Sequence, residues 1–259
     1  MEPVRVTTAR GVMTATLVDE ENRNALGSAL LRGLMDAINA ANSDSSVRAL
    51  VITNEGSTFC AGANLKEQSG AVKVADDSKI GFHDVLEAIQ HSRTPIIGRI
   101  AGHVVGGGNG LASALDISIA DEDVKFGFTE VRLGVIPAII SVVCLPKMRA
   151  GEAMEAFLRG NRFPASRAAE LGLINRAVPA ADLDDAVEEV IADLRKGGPE
   201  ALGLAKRLVY DVPSMEQKEA FEWTSRLSAK LFRGDEAAEG MAAFLGRRKA
   251  SWAEDSEES

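Results

Sequence analysis

Three consecutive glycines, Gly106, Gly107 and Gly108, limit what this chain can build more than any other stretch. They lie inside Gly102–Pro137, directly ahead of a helix-like run, Asn109–Leu115, and an apolar strand, Asp116–Ala120. Glycine before a helix lets backbone N–H groups approach a ligand closely, and the helix N-terminus adds a positive dipole end. Such a turn suits an oxygen that becomes negative during a reaction. A strand-like segment follows, carrying one acid, Glu130, between Thr129 and Val131 and near Phe126, Phe128 and Leu133. Apolar surroundings raise a carboxyl pKa towards neutrality, so Glu130 is a candidate general acid or base. Oxyanion donors followed by a proton carrier point to an enzyme. Two other uses of glycine-rich turns fail on spacing. A nucleotide P-loop needs Lys-Ser or Lys-Thr after its last glycine, and Asn109-Gly110-Leu111 stands here. A dinucleotide fingerprint needs a glycine three beyond Gly108, where the chain has Leu111.

The 259 residues suffice for one large domain or a domain with an appendage. A net charge of −9, from 29 basic and 38 acidic residues, argues against nucleic acid or an anionic membrane as partner. Cys60 and Cys144 lie in apolar or glycine-rich stretches and read as buried thiols of a reducing compartment. Three scattered histidines offer no metal-ligand spacing, so no metal is expected. Met1–Arg10 has no apolar core and no apolar run is long enough to span a bilayer, so the expected location is cytoplasmic.

Along the chain, Val4–Thr8 and Val12–Val18 alternate as two strands joined across Ala9-Arg10-Gly11. Ala25–Ala41 carries Leu30, Leu31, Leu34 and Ile38 at helical spacing. Val47–Thr53 reads as a buried strand, Asn54–Gly62 as loop, and Asn64–Gly81 as a polar segment without period. Phe82–His91 (helix) and Ile96–Ile100 (strand) begin a second round of the same pattern. Two helices are expected over Ser141–Leu158, a short one over Ser166–Leu171 ended by Gly172, and a strand over Leu173–Ala177. Leu183–Leu194 is helical, and Gly197-Gly198-Pro199 then breaks the chain. Three further helices follow, over Glu200–Val209, Met215–Phe232 and Asp235–Lys249, before an acidic tail, Ala253–Ser259, that is expected to be disordered. The implied division is a strand-containing core, residues 1–197, and a helical region, residues 198–259.

Three stretches together resemble one family. They are Phe59-Cys60-Ala61-Gly62-Ala63-Asn64-Leu65-Lys66-Glu67, the Gly106–Gly108 run with its helix and Asp116-Ile117, and Phe126–Gly134 around Glu130. Lesser echoes are Asn22-Arg23-Asn24-Ala25-Leu26, Ala169–Asn175 and Glu239–Phe244. In this order they resemble the crotonase, or enoyl-CoA hydratase/isomerase, superfamily from about Val4 to Trp252. The resemblance implies an α/β fold, a spiral of β-β-α units, with a C-terminal all-helical trimerisation region. It also implies acyl-CoA thioester substrates, self-association as a homotrimer or hexamer, and no cofactor beyond the coenzyme A carried by the substrate. The backbone N–H groups of Ala63 and Gly107 would hold the thioester oxygen as it becomes an enolate. Arg23 and Ala25 would meet the CoA phosphates and adenine, and Ala61 and Leu65 the adenine and pantetheine.

One departure bears on the chemistry. Hydratases of this family usually carry a second glutamate just after the glycine run, and that position here is Gly110. Glu130 alone could deprotonate water and then hand the proton to the α-carbon, which gives hydration of a 2-enoyl-CoA as the leading expectation. The same residue would serve a 3-enoyl to 2-enoyl isomerase, and a CoA-ester-binding homologue without hydratase activity is the remaining alternative. Ser113 shares a helix face with Gly110 and could hold a water, although simple packing is the commoner role of a buried serine. His103 reads as structural, His83 and His91 as surface residues, and Arg247-Arg248-Lys249 as a solvated basic face. Asn64 stands where the family more often has aspartate. Ala138-Ile139-Ile140, bulkier than the usual glycine-rich stretch after Pro137, suggests a narrowed acyl pocket.

Overall fold

The structure, a computed structural model, describes residues 2–71 and 80–254. β1 (Val4–Ala9) and β2 (Val12–Leu17) form an antiparallel hairpin across Arg10-Gly11, both at positive φ. α1 (Ser28–Ser43) buries Leu30, Leu31, Leu34 and Ile38, as their helical spacing requires. It begins three residues later than the apolar period suggests. Leu26 is extended and bridges Ala63, and Gly27 (φ −95°, ψ 167°) is the N-cap. β3 (Ala49–Asn54) is buried throughout, as a central parallel strand must be. β4 (Thr58–Cys60) occupies what reads in sequence as loop, because three residues are too few to show a period.

α2 (Leu65–Gln68) opens the polar segment 64–81; residues 72–79 of that segment lie outside the described residues. Then come α3 (Phe82–His91), β5 (Ile96–Ile100), β6 (His103–Val105), α4 (Gly107–Ala114), β7 (Ile117–Asp121) and β8 (Lys125–Gly127). α5 (Ala138–Cys144) and α6 (Ala150–Arg159) flank a 3-10 turn around Pro146. β9 (Phe163–Pro164), α7 (Ala165–Glu170), β10 (Arg176–Val178) and α8 (Leu183–Lys196) complete the strand-containing part. β10 starts later than Leu173 because Leu173 and Ile174 turn inward to the core after Gly172, at φ 81°. α9 (Pro199–Asp211), α10 (Gln217–Leu231), α11 (Asp235–Gly246) and α12 (Ser251–Glu254) follow. Ala253 and Glu254 thus belong to a helix, and 255–259 lie outside the described residues.

β1 and β2 both belong to the first sheet, and from β3 to β8 successive strands alternate between the first sheet and a second. The first sheet has the order β1-β2-β3-β5-β7-β10 and the second β4-β6-β8-β9. Among the described residues, only the β1–β2 and β8–β9 pairs are antiparallel. The main core holds Leu34, Ile52, Phe59, Leu111, Phe126 and Phe128. A smaller core joins the first sheet (Val51, Ile97, Ile119) to Leu183, Val187 and Ile191 of α8. The consequence for function lies in the second sheet. β4, β6 and β8 run parallel and adjacent, so their C-terminal ends open side by side, about 5 Å apart. Residues separated by dozens of positions in sequence meet there.

Candidate active site

Each of those three strand ends delivers one part of the site. β4 runs into Ala61-Gly62-Ala63, β6 into Gly106-Gly107, and β8 into Thr129-Glu130. Gly62 (φ 85°) and Gly106 (φ 55°) both sit where L side chains are strained, and this turns each strand sharply into its helix. The two turns also touch. A Cβ on Gly62 would stand 2.9 Å from Gly107 N and 2.9 Å from Val105 O. As the first residue of α4, Gly107 has no acceptor within its helix. Among the described residues, neither its N–H nor that of Ala63 donates to a backbone carbonyl. Two donors at touching turns, one at a helix N-terminus, can receive a developing oxyanion.

Glu130 is not on a strand. β8 stops at Gly127, Thr129 has left the extended region (φ −88°, ψ 3°), and Glu130–Leu133 is a 3-10 turn. Gly134, left-handed at φ 73°, closes that turn with its N–H towards Glu130 O and Val131 O. The apolar residues that read as a strand, Phe126 and Phe128, are buried in the core, where Phe128 packs on Phe157 at 4.6 Å. The turn leaves the Glu130 carboxyl facing Gly106, with Oε1 3.6 Å from where a Cβ on Gly106 would stand. Among the described residues, Oε2 is buried without a hydrogen-bond partner. Burial raises the Glu130 pKa above its ordinary value of 4.5, opposed only by its own backbone N–H. A carboxyl group so placed can hold or release a proton beside the oxyanion donors.

These groups line a cavity of about 490 Å3, which also takes in Ala61, Leu65, Glu67, Phe82, Ile136 and Ile140. Five of the seven residues expected at the site therefore meet: Ala61, Ala63, Leu65, Gly107 and Glu130. Arg23 and Ala25 do not line it. Arg23 is exposed on the preceding turn, where its carbonyl accepts the Ala61 N–H at 3.1 Å, and Ala25 is buried. Ile140 closes one wall. A Cβ on Gly110 would lie only 2.2 Å from Ile140 Cγ2, so α4 and α5 interlock and no side chain fits at position 110.

Ser113 faces elsewhere. Its hydroxyl donates to Val143 O at 3.4 Å, and it lines a separate cavity of about 870 Å3 with Asp116, Lys147 and Lys206. It therefore holds no water for Glu130. His103 Nδ1 accepts the Lys125 N–H at 3.0 Å, a structural link between β6 and β8. Burial pushes the thiols of Cys60 and Cys144 up to about 12, which suits packing and not nucleophilic attack.

Three contributors are less visible in sequence. Asn109 is buried, and its amide donates to Gly106 O at 3.0 Å and Gly127 O at 2.9 Å, tying the glycine turn to the end of β8. A buried asparagine directly after the glycine run was the available signal. Leu26 N–H donates to Gly62 O at 2.7 Å, which fixes the first turn from the other side. Glu67 accepts from both Ser28 and Asn64, and the spacing Asn64-x-x-Glu67 is that of a helix capping box.

The chain is similar to known proteins along nearly its whole length. The sequence profile of the family described as Enoyl-CoA hydratase/isomerase matches residues 7–255. A Rhizobium meliloti protein named probable enoyl-CoA hydratase is 33% identical over 256 residues, covering 97% of this chain and 98% of its own. The solved structure of an enoyl-CoA hydratase from Mycobacterium smegmatis superposes with TM-score 0.86 at 29% identity, over 97% of this chain and 99% of that one. Pseudomonas aeruginosa AtuE superposes with TM-score 0.89 at 30% identity, over 97% and 100%. With its two-sheet spiral and following helices matched along almost the whole length, the chain belongs to the enoyl-CoA hydratase/isomerase family, the crotonase superfamily, which acts on acyl-CoA thioesters.

Proposed function

We propose that the chain hydrates a 2-enoyl-CoA, with Ala63 and Gly107 N–H groups on the thioester oxygen and Glu130 as the proton carrier. The observation behind this reading is the Glu130 carboxyl, half-buried with one unpartnered oxygen, against the turn that presents Gly107. Ionised Glu130 takes a proton from water as the oxygen adds to the β-carbon, and the enolate charge develops where the two N–H groups converge. The carboxyl then returns its proton to the α-carbon, so atoms and charge balance with one acid/base residue. Coenzyme A enters as part of the substrate, with Ala61 and Leu65 on the cavity wall and Arg23 and Ala25 on the adjoining turn as its contacts. Loss of the conjugated thioester absorbance of crotonyl-CoA on adding the protein tests the reading. A bound but unchanged ester would contradict it.

The packing of Ile140 against Gly110 favours a second reading. A second carboxyl has no room at position 110, and among the described residues the other acid on the cavity wall, Glu67, is engaged by Ser28 and Asn64. A single carboxyl suffices to move a proton between the α- and γ-carbons, so 3-enoyl to 2-enoyl isomerisation uses the same three positions without water. Product identity with 2-enoyl and 3-enoyl substrates separates the two reactions.

The same wall sets chain length. Ile140 cannot retreat towards α4, so the cavity closes behind a short or branched acyl group. We expect kcat/KM for crotonyl-CoA to exceed that for a long-chain enoyl-CoA, and Ile140→Ala to shift the ratio by about tenfold towards the long chain. A native preference for long chains would overturn this.

Self-association as a trimer, or a pair of trimers, belongs to the same proposal. On α11, Phe244 (83% exposed) and Leu245 (80%) lie bare, as does Phe232 at the end of α10. Apolar surface of this kind marks a contact. Light scattering should give a trimer or hexamer, and Phe244→Asp with Leu245→Asp should lower the assembly state; a native monomer would refute this.

A further inference from the structure

Two segments far apart in sequence are stitched together on both sides of Ala63. Before it, Ala61 N–H donates to Arg23 O at 3.1 Å and Leu26 N–H to Gly62 O at 2.7 Å. After it, one carboxylate does the work. Glu67 Oε2 accepts the Ser28 N–H at 3.1 Å and the Ser28 hydroxyl at 2.9 Å, while Oε1 accepts the Asn64 amide at 3.1 Å. Asn64 Oδ1 in turn accepts the N–H groups of Lys66 (3.1 Å) and Glu67 (3.4 Å). The fit leaves no slack. A Cβ on Gly27 would stand 2.3 Å from Glu67 Oε1 and 2.9 Å from Asn64 Nδ2. The carboxylate also sits at the N-terminus of α1, whose dipole and free N–H groups favour a negative charge.

We infer that Glu67 is a positioning residue, clamping Asn64 to the α1 N-terminus so that the neighbouring Ala63 N–H is held where an oxyanion forms. This rests on the reading of Ala63 as an oxyanion donor. Asparagine at position 64 is what the clamp needs. Its amide donates to one carboxylate oxygen while its carbonyl caps α2, whereas an aspartate there would set two carboxylates against each other at the same distance. The arrangement predicts a reciprocal exchange. Glu67→Gln places an amide nitrogen against the Asn64 amide, and Asn64→Asp places a carboxylate against Glu67, so each breaks the bond. Asn64→Asp with Glu67→Gln reverses the direction of that bond and keeps the Ser28 and α2 acceptors in place.

The test uses the full chain with butanoyl-CoA carrying a carbon-13 carbonyl, a saturated ester that binds but has no double bond to react. The native protein should lower the carbonyl stretching frequency on binding. Each single variant should lose most of that shift and reduce kcat on the protein's enoyl-CoA substrate by roughly 10- to 100-fold, since misplacing a catalytic group slightly is enough for such a loss. KM should change little, and the double variant should regain most of the shift and of kcat. Losses that add in the double variant, or single variants with the native shift, would overturn the clamp. If Glu67→Gln does not fold, the double variant decides: its folding and native shift support the clamp, and its failure refutes it. A native protein that binds butanoyl-CoA with no shift would instead overturn the oxyanion reading itself, and the clamp with it.

Discussion

Glu130→Gln is expected to lower kcat by about 100- to 10,000-fold while leaving CoA-ester affinity near native, the scale of losing a general acid/base. The glutamine keeps the size of the side chain but cannot carry the proton. Binding should survive, because the cavity walls and the Ala63 and Gly107 N–H groups are untouched. The pH profile follows from the buried carboxyl. Ionised Glu130 is the base, and burial raises its pKa above 4.5, so kcat/KM should start to fall on acidification at a higher pH than an exposed glutamate would give. Stability should move the opposite way. The folded protein holds the Glu130 proton more tightly than the unfolded chain, so the carboxyl destabilises the fold above its folded pKa and not below 4.5. Thermal melts of Glu130→Gln should therefore show a gain at neutral pH that vanishes in acid. Such a loss of activity with a gain of stability distinguishes a strained functional group from a packing residue.

Lys206→Met should cost about 3–5 kcal/mol. The Lys206 side chain is 8% exposed, and its ammonium lies 2.9 Å from Asp116 Oδ2, itself on a side chain 16% exposed. Lys206 also donates to Ile89 O at 2.5 Å, and Asp116 Oδ2 accepts the Ile96 N–H at 2.7 Å. One contact thus joins α9, in the helical region, to α3, β5 and the start of β7. Burial pushes the Asp116 carboxyl up and the Lys206 ammonium down, each against the pull of its partner. The pair is therefore costly to bury and far costlier to break. Removing the lysine strands the carboxylate, whereas Asp116→Asn with Lys206→Met removes both charges and should lose less than the sum of the single changes. Urea titration reads both, and a single-variant loss below about 1 kcal/mol would show that the pair is not buried in solution.

The sequence exposes this fold unevenly, for physical reasons. α1, α3, α8 and β3 are legible because each is long enough for a 3.6-residue period or a buried apolar run to register. β4, β6 and β8 are three residues each, and they carry the site; β4 read as loop. Glu130 read as strand because Phe126 and Phe128 surround its approach, and only the left-handed Gly134 signals the turn. The oxyanion donors are backbone groups, so side-chain type marks them only through the small residues that make room. Glu67 closes a stretch that carries the family resemblance, yet its clamp is not legible there, since its partner Ser28 lies 39 residues away and pairing over that distance has no local signature. Gly110 was plainly missing a carboxyl, yet only packing reveals that Ile140 fills the place.

In the proposed chemistry one carboxyl, Glu130, carries a proton to or from the α-carbon of a thioester held by Ala63 and Gly107. Incubating the native protein and Glu130→Gln with crotonyl-CoA in heavy water, and with an α-deuterated 3-enoyl-CoA in light water, and following deuterium at the α-carbon by NMR, tests this proton transfer. The native protein should place deuterium on the α-carbon if it hydrates the first ester, or remove one from the α-carbon if it isomerises the second, and the variant should do neither above background. A label change that persists in the variant, or none with either ester from a native protein that binds both, would contradict the role of Glu130.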